Sequence, residues 1–195
     1  MVLLLETNVT GPSCKFTDSD VFLYLDRVSK SNRVSRRDIS EYLGIGEGSV
    51  RTLTEMMRDI GFIDVKQTGI SLRPAGAELL KALGLRTVDI SVGKYVIGAN
   101  QFGVVLNNMA EKVFNGIDQR NAGLRVGGDG CTTWICDSGS IIMLPDWNVD
   151  EHDPTLSLTI RKKAAPGDGD VLIVGGGHTK RLAMISAVSA ALDII

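Results

Sequence analysis

The sequence predicts an α+β protein in two parts, mainly helical over residues 1–86 and mixed strand and helix over 87–195. Three observations predict it. Glycine is unevenly spread, with 8 in the first 86 residues and 14 in the last 109. Apolar residues of the first part recur at helical spacing, whereas those of the second form short β-type runs between glycines. The stretch GLRTVDISVG, 84–93, follows a helix that ends at Gly84 and marks the boundary.

In the first part, Thr17 with Asp20 three residues on forms a capping box that opens a helix over 18–30. Val21, Phe22, Leu25 and Val28 share one of its faces. Ser35 with Asp38 is a second capping signal, for a helix over 36–43 with Ile39, Tyr42 and Leu43 inward. GIGEG breaks the chain, and Gly46 caps a third helix over 47–60. On a wheel of about 100° per residue, Val50, Leu53, Met57 and Ile60 face the core. Gly48, Arg51, Thr52, Glu55 and Asp59 lie opposite, with Ser49 on the flank. FIDVKQTGISLR alternates around Thr68-Gly69 and reads as a hairpin. Pro74 suits the first turn of a fourth helix, PAGAELLKAL.

In the second part, KYVIGA and FGVVLNN read as strands and 117–126 as a helix ending at Gly127-Gly128. CTTWIC and SIIMLPDW flank Asp137-Ser138-Gly139, a hairpin turn. HDPTLSLTIRKKAA fits a helix starting near Pro154, APGDGD a loop and DVLIVGG a buried strand. A long C-terminal helix follows, with an apolar stripe of Leu182, Ile185, Val188 (beside Ser189) and Leu192.

The totals exclude several classes. No apolar run approaches the roughly 18 residues of a membrane span, and MVLLLET lacks the basic start of a signal peptide. Three cysteines, Cys14, Cys131 and Cys136, make no disulfide scaffold, so a reducing cytoplasm is the expected home. The net charge of −2 hides an asymmetry. Residues 1–86 carry 12 basic against 11 acidic residues, 87–195 carry 9 against 12, and 27–73 carry 9 against 6. The basic footprint is modest, far weaker than that of a strongly cationic nucleic-acid binder, and charge alone does not decide the class.

Helix, helix, glycine turn, helix and hairpin, in that order, describe a winged helix-turn-helix. GEGSVRTLTEMMRDIGFIDVKQTGISLRPAGAELL resembles the recognition helix, wing and trailing helix of bacterial and archaeal winged-helix regulators. The resemblance implies that the third helix meets double-stranded DNA through its first turn. Gly48, Ser49, Arg51 and Thr52 are then the base-facing residues, Arg51 suiting guanine and Thr52 a base edge or thymine methyl. Arg36 and Arg37 stand in a first helical turn, where the helix dipole disfavours cations, so phosphate contact explains them better than helix stability. Lys66 and Gln67 at the wing tip are placed to touch the adjacent backbone or the minor groove. Glu47 and Glu55 must be aimed between strands or paired with Arg51 and Arg58.

The second part resembles the C-terminal half, of unknown function, of an archaeal family of two-domain winged-helix proteins. GIDQRNAGLRVGGDGCTTW, the hairpin ending in LPDW, and GDVLIVGGG with AMISAVSAAL carry that resemblance. The chain departs from the family pattern at Asn121, Gly128 and Cys131. Two loops read either as ligand sites or as tight structural turns. In GGGHTK a strand ends in glycines where a helix begins, so Gly176, Gly177, His178 and Thr179 offer groups to an anion. In GGDGCTT, Thr132 and Thr133 are donors for a small polar effector, with Gln119, Arg120 and Asn121 supplying more from the preceding helix.

No catalytic set, metal set or cofactor fingerprint stands out. Glu151, His152 and Asp153 are adjacent and cannot converge on one ion alone. Cys131 and Cys136, five apart on a strand, point to opposite faces. GGGHTK matches neither the phosphate-loop nor the dinucleotide pattern. The expectation is therefore a homodimeric DNA-binding transcriptional regulator, with a second domain that dimerises and binds a small-molecule effector, and no membrane partner. The alternative is a nucleotide- or phosphate-using enzyme with an accessory winged helix.

Overall fold

A computed structural model of the chain describes residues 16–31 and 33–195. The leader expectation over MVLLLET, and Cys14, lie outside the described residues. The fold divides into two compact units, one ending at Leu83 and the other running from Gly84 to Ile195. Among the described residues no helix is long and apolar enough to cross a membrane.

The N-terminal unit follows its capping signals. α1 (Asp18–Ser29) starts where the Asp20 carboxylate accepts from the Thr17 backbone N–H at 2.9 Å. α2 (Arg36–Leu43) starts the same way: the Asp38 carboxylate accepts from Ser35 N–H at 2.9 Å, and Ser35 Oγ accepts from Asp38 N–H at 3.1 Å. A bond donated by Ser35 Oγ to the same carboxylate at 2.7 Å, with the one from Ser35 N–H, holds the Asp38 carboxyl below its usual range. α2 ends on Gly44 in the left-handed conformation, and α3 (Glu47–Asp59) opens on Gly46. β1 (Ile63–Lys66) pairs antiparallel with β2 (Gly69–Leu72) around Gln67-Thr68, and Gly69 takes the positive φ that the turn requires. An isolated bridge joins Val34 to Ile70, tying the chain between α1 and α2 to the hairpin. α4 (Pro74–Leu83) completes a winged-helix arrangement.

Two packing details depart from the helical wheels. α1 is buried nearly all round, with Leu23, Tyr24 and Asp26 sealed beside the expected Val21, Phe22, Leu25 and Val28. In α3 the core face is Val50, Leu53, Thr54 and Met57, and Ile60 is 50% exposed. Ile60 is the C-cap, where the helix has ended, and Thr54 lies at the opposite edge of the apolar arc. Thr54 is tolerated there because its hydroxyl donates to Val50 O at 2.7 Å and accepts from Tyr24 Oη at 3.0 Å.

The C-terminal unit is one six-stranded sheet covered on both faces. Its strands are β3 (Leu85–Val88), β4 (Asn100–Leu106), β5 (Gly130–Asp137), β6 (Ser140–Met143), β7 (Trp147–Asn148) and β8 (Val171–Gly177). The order is β3-β4-β8-β5-β6-β7 and every pairing is antiparallel. α5 (Ile117–Arg125) and α8 (Lys180–Leu192) pack on one face. On the other, Val149 of α6 (Val149–His152) and Leu156 and Ile160 of α7 (Pro154–Lys163) close a core with Val105, Trp134 and Leu172.

Three expectations change here. KYVIGA is no strand: Gly93–Tyr95 form a short 3₁₀ turn, and the pairing starts only at Asn100. Leu85–Val88, read as a boundary, is instead the edge strand β3. The C-terminal helix is buried around most of its girth, with Ala183, Ala187, Ala190 and Ala191 fully covered and Leu182 only half-buried. Small residues allow that close approach, and β8 answers them with glycine. A Cβ on Gly175 would lie 2.5 Å from Ala187 N, and one on Gly176 would collide with the Ile97 carbonyl.

Two stability tests follow. Burial pushes the Tyr24 hydroxyl from its ordinary 10.0 up to about 12, so the folded chain holds a proton that the unfolded chain loses from about pH 10 upward. Folding stability therefore falls as pH rises between those values, and Tyr24→Phe removes that share of the decline while costing about 1 kcal/mol at neutral pH; denaturant titrations at both pH values measure it. Gly176→Ala is expected to cost about 3 kcal/mol or more through overpacking. Gly48→Ala, where a Cβ meets nothing within 4 Å, is expected to stabilise by about 0.5–1 kcal/mol, read in the same thermal melts.

Candidate functional site

The first turns of α2 and α3 come together around a cleft of about 440 Å³ lined by Arg36, Arg37, Glu47, Gly48 and Arg51. Three guanidinium-bearing residues and one carboxylate share that wall. Arg37 is partly engaged, its Nε donating to Glu41 at 3.0 Å while its side chain stays 80% exposed. Arg36 and Arg51 have no hydrogen bond or ion pair among the described residues. Both side chains are exposed, so a phosphate or base edge can meet them without displacing a protein partner.

The outward face of α3 carries the rest of the expected set. Gly48, Arg51, Thr52 and Glu55 are exposed and Ser49 is half-buried. The Thr52 hydroxyl donates back to Gly48 O at 3.2 Å, which leaves its oxygen free to accept. Gly48 has open space where a Cβ would stand, so nothing of the protein crowds that point of the helix. Arg58 pairs with Asp59 at 2.9 Å and not with Glu55, so Glu55 is not neutralised in the way the sequence suggested. At the hairpin tip Gln67 is exposed, and Lys66 Nζ reaches Asp64 at 3.2 Å on the same strand. Six of the eight expected nucleic-acid residues thus lie on the first turns of α2 and α3, and the other two lie on the wing.

The expected ligand residues of the C-terminal unit do not form one pocket. Thr132 and Thr133 point to opposite faces of β5. The Thr132 hydroxyl donates to Tyr95 O at 2.6 Å, while Thr133 is buried beneath the turn that starts α5, with its hydroxyl unpaired. Gln119 is buried on the sheet-facing side of α5, whereas Arg120 is exposed and Asn121 half-buried. Gly176 and Gly177 are ladder residues of β8, opposite Gln101 and Asn100, with Ile97 and Ala183 close above them. The strand therefore runs past the glycines to its end, so they form no open loop. His178 and Thr179 are exposed beyond it, and Thr179 Oγ1 caps α8 by accepting from Leu182 N–H at 3.2 Å.

Other residues once weighed for chemistry have structural duties. His152 Nδ1 lies 2.7 Å from Asn148 O, and Asp153 caps α7 while accepting from Tyr95 Oη at 2.8 Å. Cys131 is buried against Ser186 O, and burial pushes its thiol up to about 12. A second groove, of about 450 Å³, was not foreseen. Lys94, Tyr95, Asp153 and Thr159 are among its lining residues, with the Lys94 ammonium 5.3 Å from the Tyr95 ring centre. Its walls come from segments about sixty residues apart, and no spacing signal joins them.

With this geometry in hand, comparison with known proteins divides the chain in the same order. Residues 21–86 match the family model described as CggR N-terminal DNA binding domain. Residues 97–194 match the one described as Domain of unknown function (DUF4443). The fold is similar to that of the hypothetical protein PH0730 from Pyrococcus horikoshii OT3, at 25% identity and a TM-score of 0.75, covering 92% of this chain and 93% of that one. No curated protein matches the chain.

Proposed function

The chain belongs to the family described as Domain of unknown function (DUF4443), with a DNA-binding domain of the CggR type at its N-terminal end, and we propose that it is a dimeric transcriptional regulator. One observation carries the reading: Arg36 and Arg51 stand without protein partners on a shared cleft, at the first turns of the two helices of a helix-turn-helix. α3 is the element that enters the major groove. Arg51 and Thr52 meet base edges there, and Gly48 lets the backbone approach closely. Arg36 and Arg37 hold phosphates, and Lys66 and Gln67 steady the wing on the neighbouring backbone.

The second domain joins two copies and responds to a small polar effector. A single winged helix makes few base contacts, and two half-sites roughly double the specific energy. Support for the effector rests on two buried polar groups under α5, the Gln119 side chain and the unpaired Thr133 hydroxyl. Such groups are stabilised by a hydrogen-bonding guest.

Fluorescence anisotropy on DNA fragments selected from a genomic library tests the DNA reading. Arg51→Ala is expected to cost about 1–3 kcal/mol on selected DNA and much less on random DNA. Arg36→Ala and Arg37→Ala are expected to weaken both alike, each lowering the slope of log K against log salt by about 1. Equal losses for Arg51→Ala on both DNAs would count against base reading. Flat curves for the wild type at low salt would remove the regulator reading altogether.

A further inference from the structure

α5 has two faces of opposite character. Gln119, Ala122 and Gly123 turn to the sheet, and a Cβ on Gly123 would lie 2.8 Å from Cys131 Sγ. Diametrically opposite run Ile117, Asn121 and Leu124, at spacings of four and three. Ile117 is 53% exposed and Leu124 43% exposed, and the preceding Phe114 is 92% exposed. Leu144, half-buried, lies beside Gly116 and extends the apolar surface onto the hairpin. A phenylalanine and two aliphatic residues contiguous in water are costly for a lone domain and mark an interaction surface.

We infer that this face of α5, with Phe114, is the surface through which two copies of the chain associate about a two-fold axis perpendicular to the helix. The inference rests on the dimeric part of the proposed function and gives it a place. Charge decides the occupant. Asp118 in the first turn and Arg125 in the last lie within about 20° of each other around the helix, on the same flank of the apolar stripe. A perpendicular two-fold lays the same flanks together with their ends reversed. Asp118 of each copy then meets Arg125 of the other at both ends, while Ile117 and Leu124 interleave about Asn121. Arg125 already holds Asp193, yet its side chain is 62% exposed and keeps donors for a second carboxylate. Asp118 has no partner among the described residues. The match is therefore self-complementary, as an isologous interface requires, and a partner of one charge sign leaves half of it unmet.

Sedimentation velocity on the full chain at micromolar concentration tests this. The wild type is expected to sediment as a dimer. Leu124→Glu and Phe114→Ser are each expected to sediment as monomers with unchanged far-UV circular dichroism. Leu158→Glu, at an exposed leucine of α7 on the opposite side of the sheet, is expected to remain dimeric. Asp118→Arg is expected to raise the dimer Kd roughly tenfold. If both apolar variants kept the wild-type mass, the surface would be wrong while a dimeric regulator stood. A monomeric wild type would overturn both the surface and the dimeric reading.

Discussion

Val50, Leu53, Thr54 and Met57 occupy an arc of about 100° on α3 and are sealed from water, so this helix cannot roll. Burying each large apolar side chain is worth about 1.5–3 kcal/mol, and a turn of one residue would expose at least one of them. It would also break the hydroxyl pair between Tyr24 and Thr54, leaving the buried Tyr24 hydroxyl without its acceptor. The orientation of Gly48, Arg51 and Thr52 is the other side of the same constraint. The N-terminal unit does not position its outward residues by contacts among them. It positions them by fixing what lies behind: α3 packs against α2 and β1, and the Tyr24 hydroxyl of α1 reaches Thr54.

The electrostatics follow the same logic. The unit carries equal numbers of basic and acidic residues, yet 27–73 holds 9 basic against 6 acidic, with Arg36, Arg37 and Arg51 near the starts of α2 and α3. Glu41 engages Arg37, and Glu47 sits on the cleft wall. Carboxylates there weaken binding to any polyanion and so lower the sequence-independent share of affinity. What remains depends more on geometry, which favours discrimination over tight general attachment.

Much of this was legible in the chain because local chemistry decided it. Two capping boxes, Gly44, Gly46, the glycine after the hairpin turn (Gln67-Thr68, one residue before the expected Thr68-Gly69) and Pro74 each act within a few residues of themselves, and the helices begin and end within a residue of where they say. What was not legible depended on distant partners. Leu85–Val88 carries Arg86 and Thr87 and has too few residues for a pattern, and only pairing with β4 makes it a strand. Gly175, Gly176 and Gly177 looked like an anion-binding loop because glycine before a helix has that meaning in some folds. Here the absent side chains admit α8 and the Ile97 carbonyl, a requirement of three-dimensional packing that spacing does not encode. Ile60 failed because a wheel assumes that the helix continues, and α3 had ended at Asp59. Thr54 failed for the converse reason, its hydroxyl being satisfied from α1.

α5 is where the two properties proposed for the C-terminal unit, effector binding and self-association, meet. Its inner side holds Gln119 over the sheet, near a Thr133 hydroxyl without a partner, and its outer side carries Ile117 and Leu124. A ligand shifts an equilibrium only by the difference in its affinity for the two states. A guest that hydrogen-bonds beneath a helix of nine residues changes how deeply that helix sits. Because Gly123 already packs against Cys131 and Gly130, α5 cannot sink further and can only tilt or lift. Either motion carries Phe114, Ile117 and Leu124 with it and changes the fit between two copies. Occupancy of the inner side and pairing of the outer side are then linked through one rigid element, with no path through the rest of the sheet required.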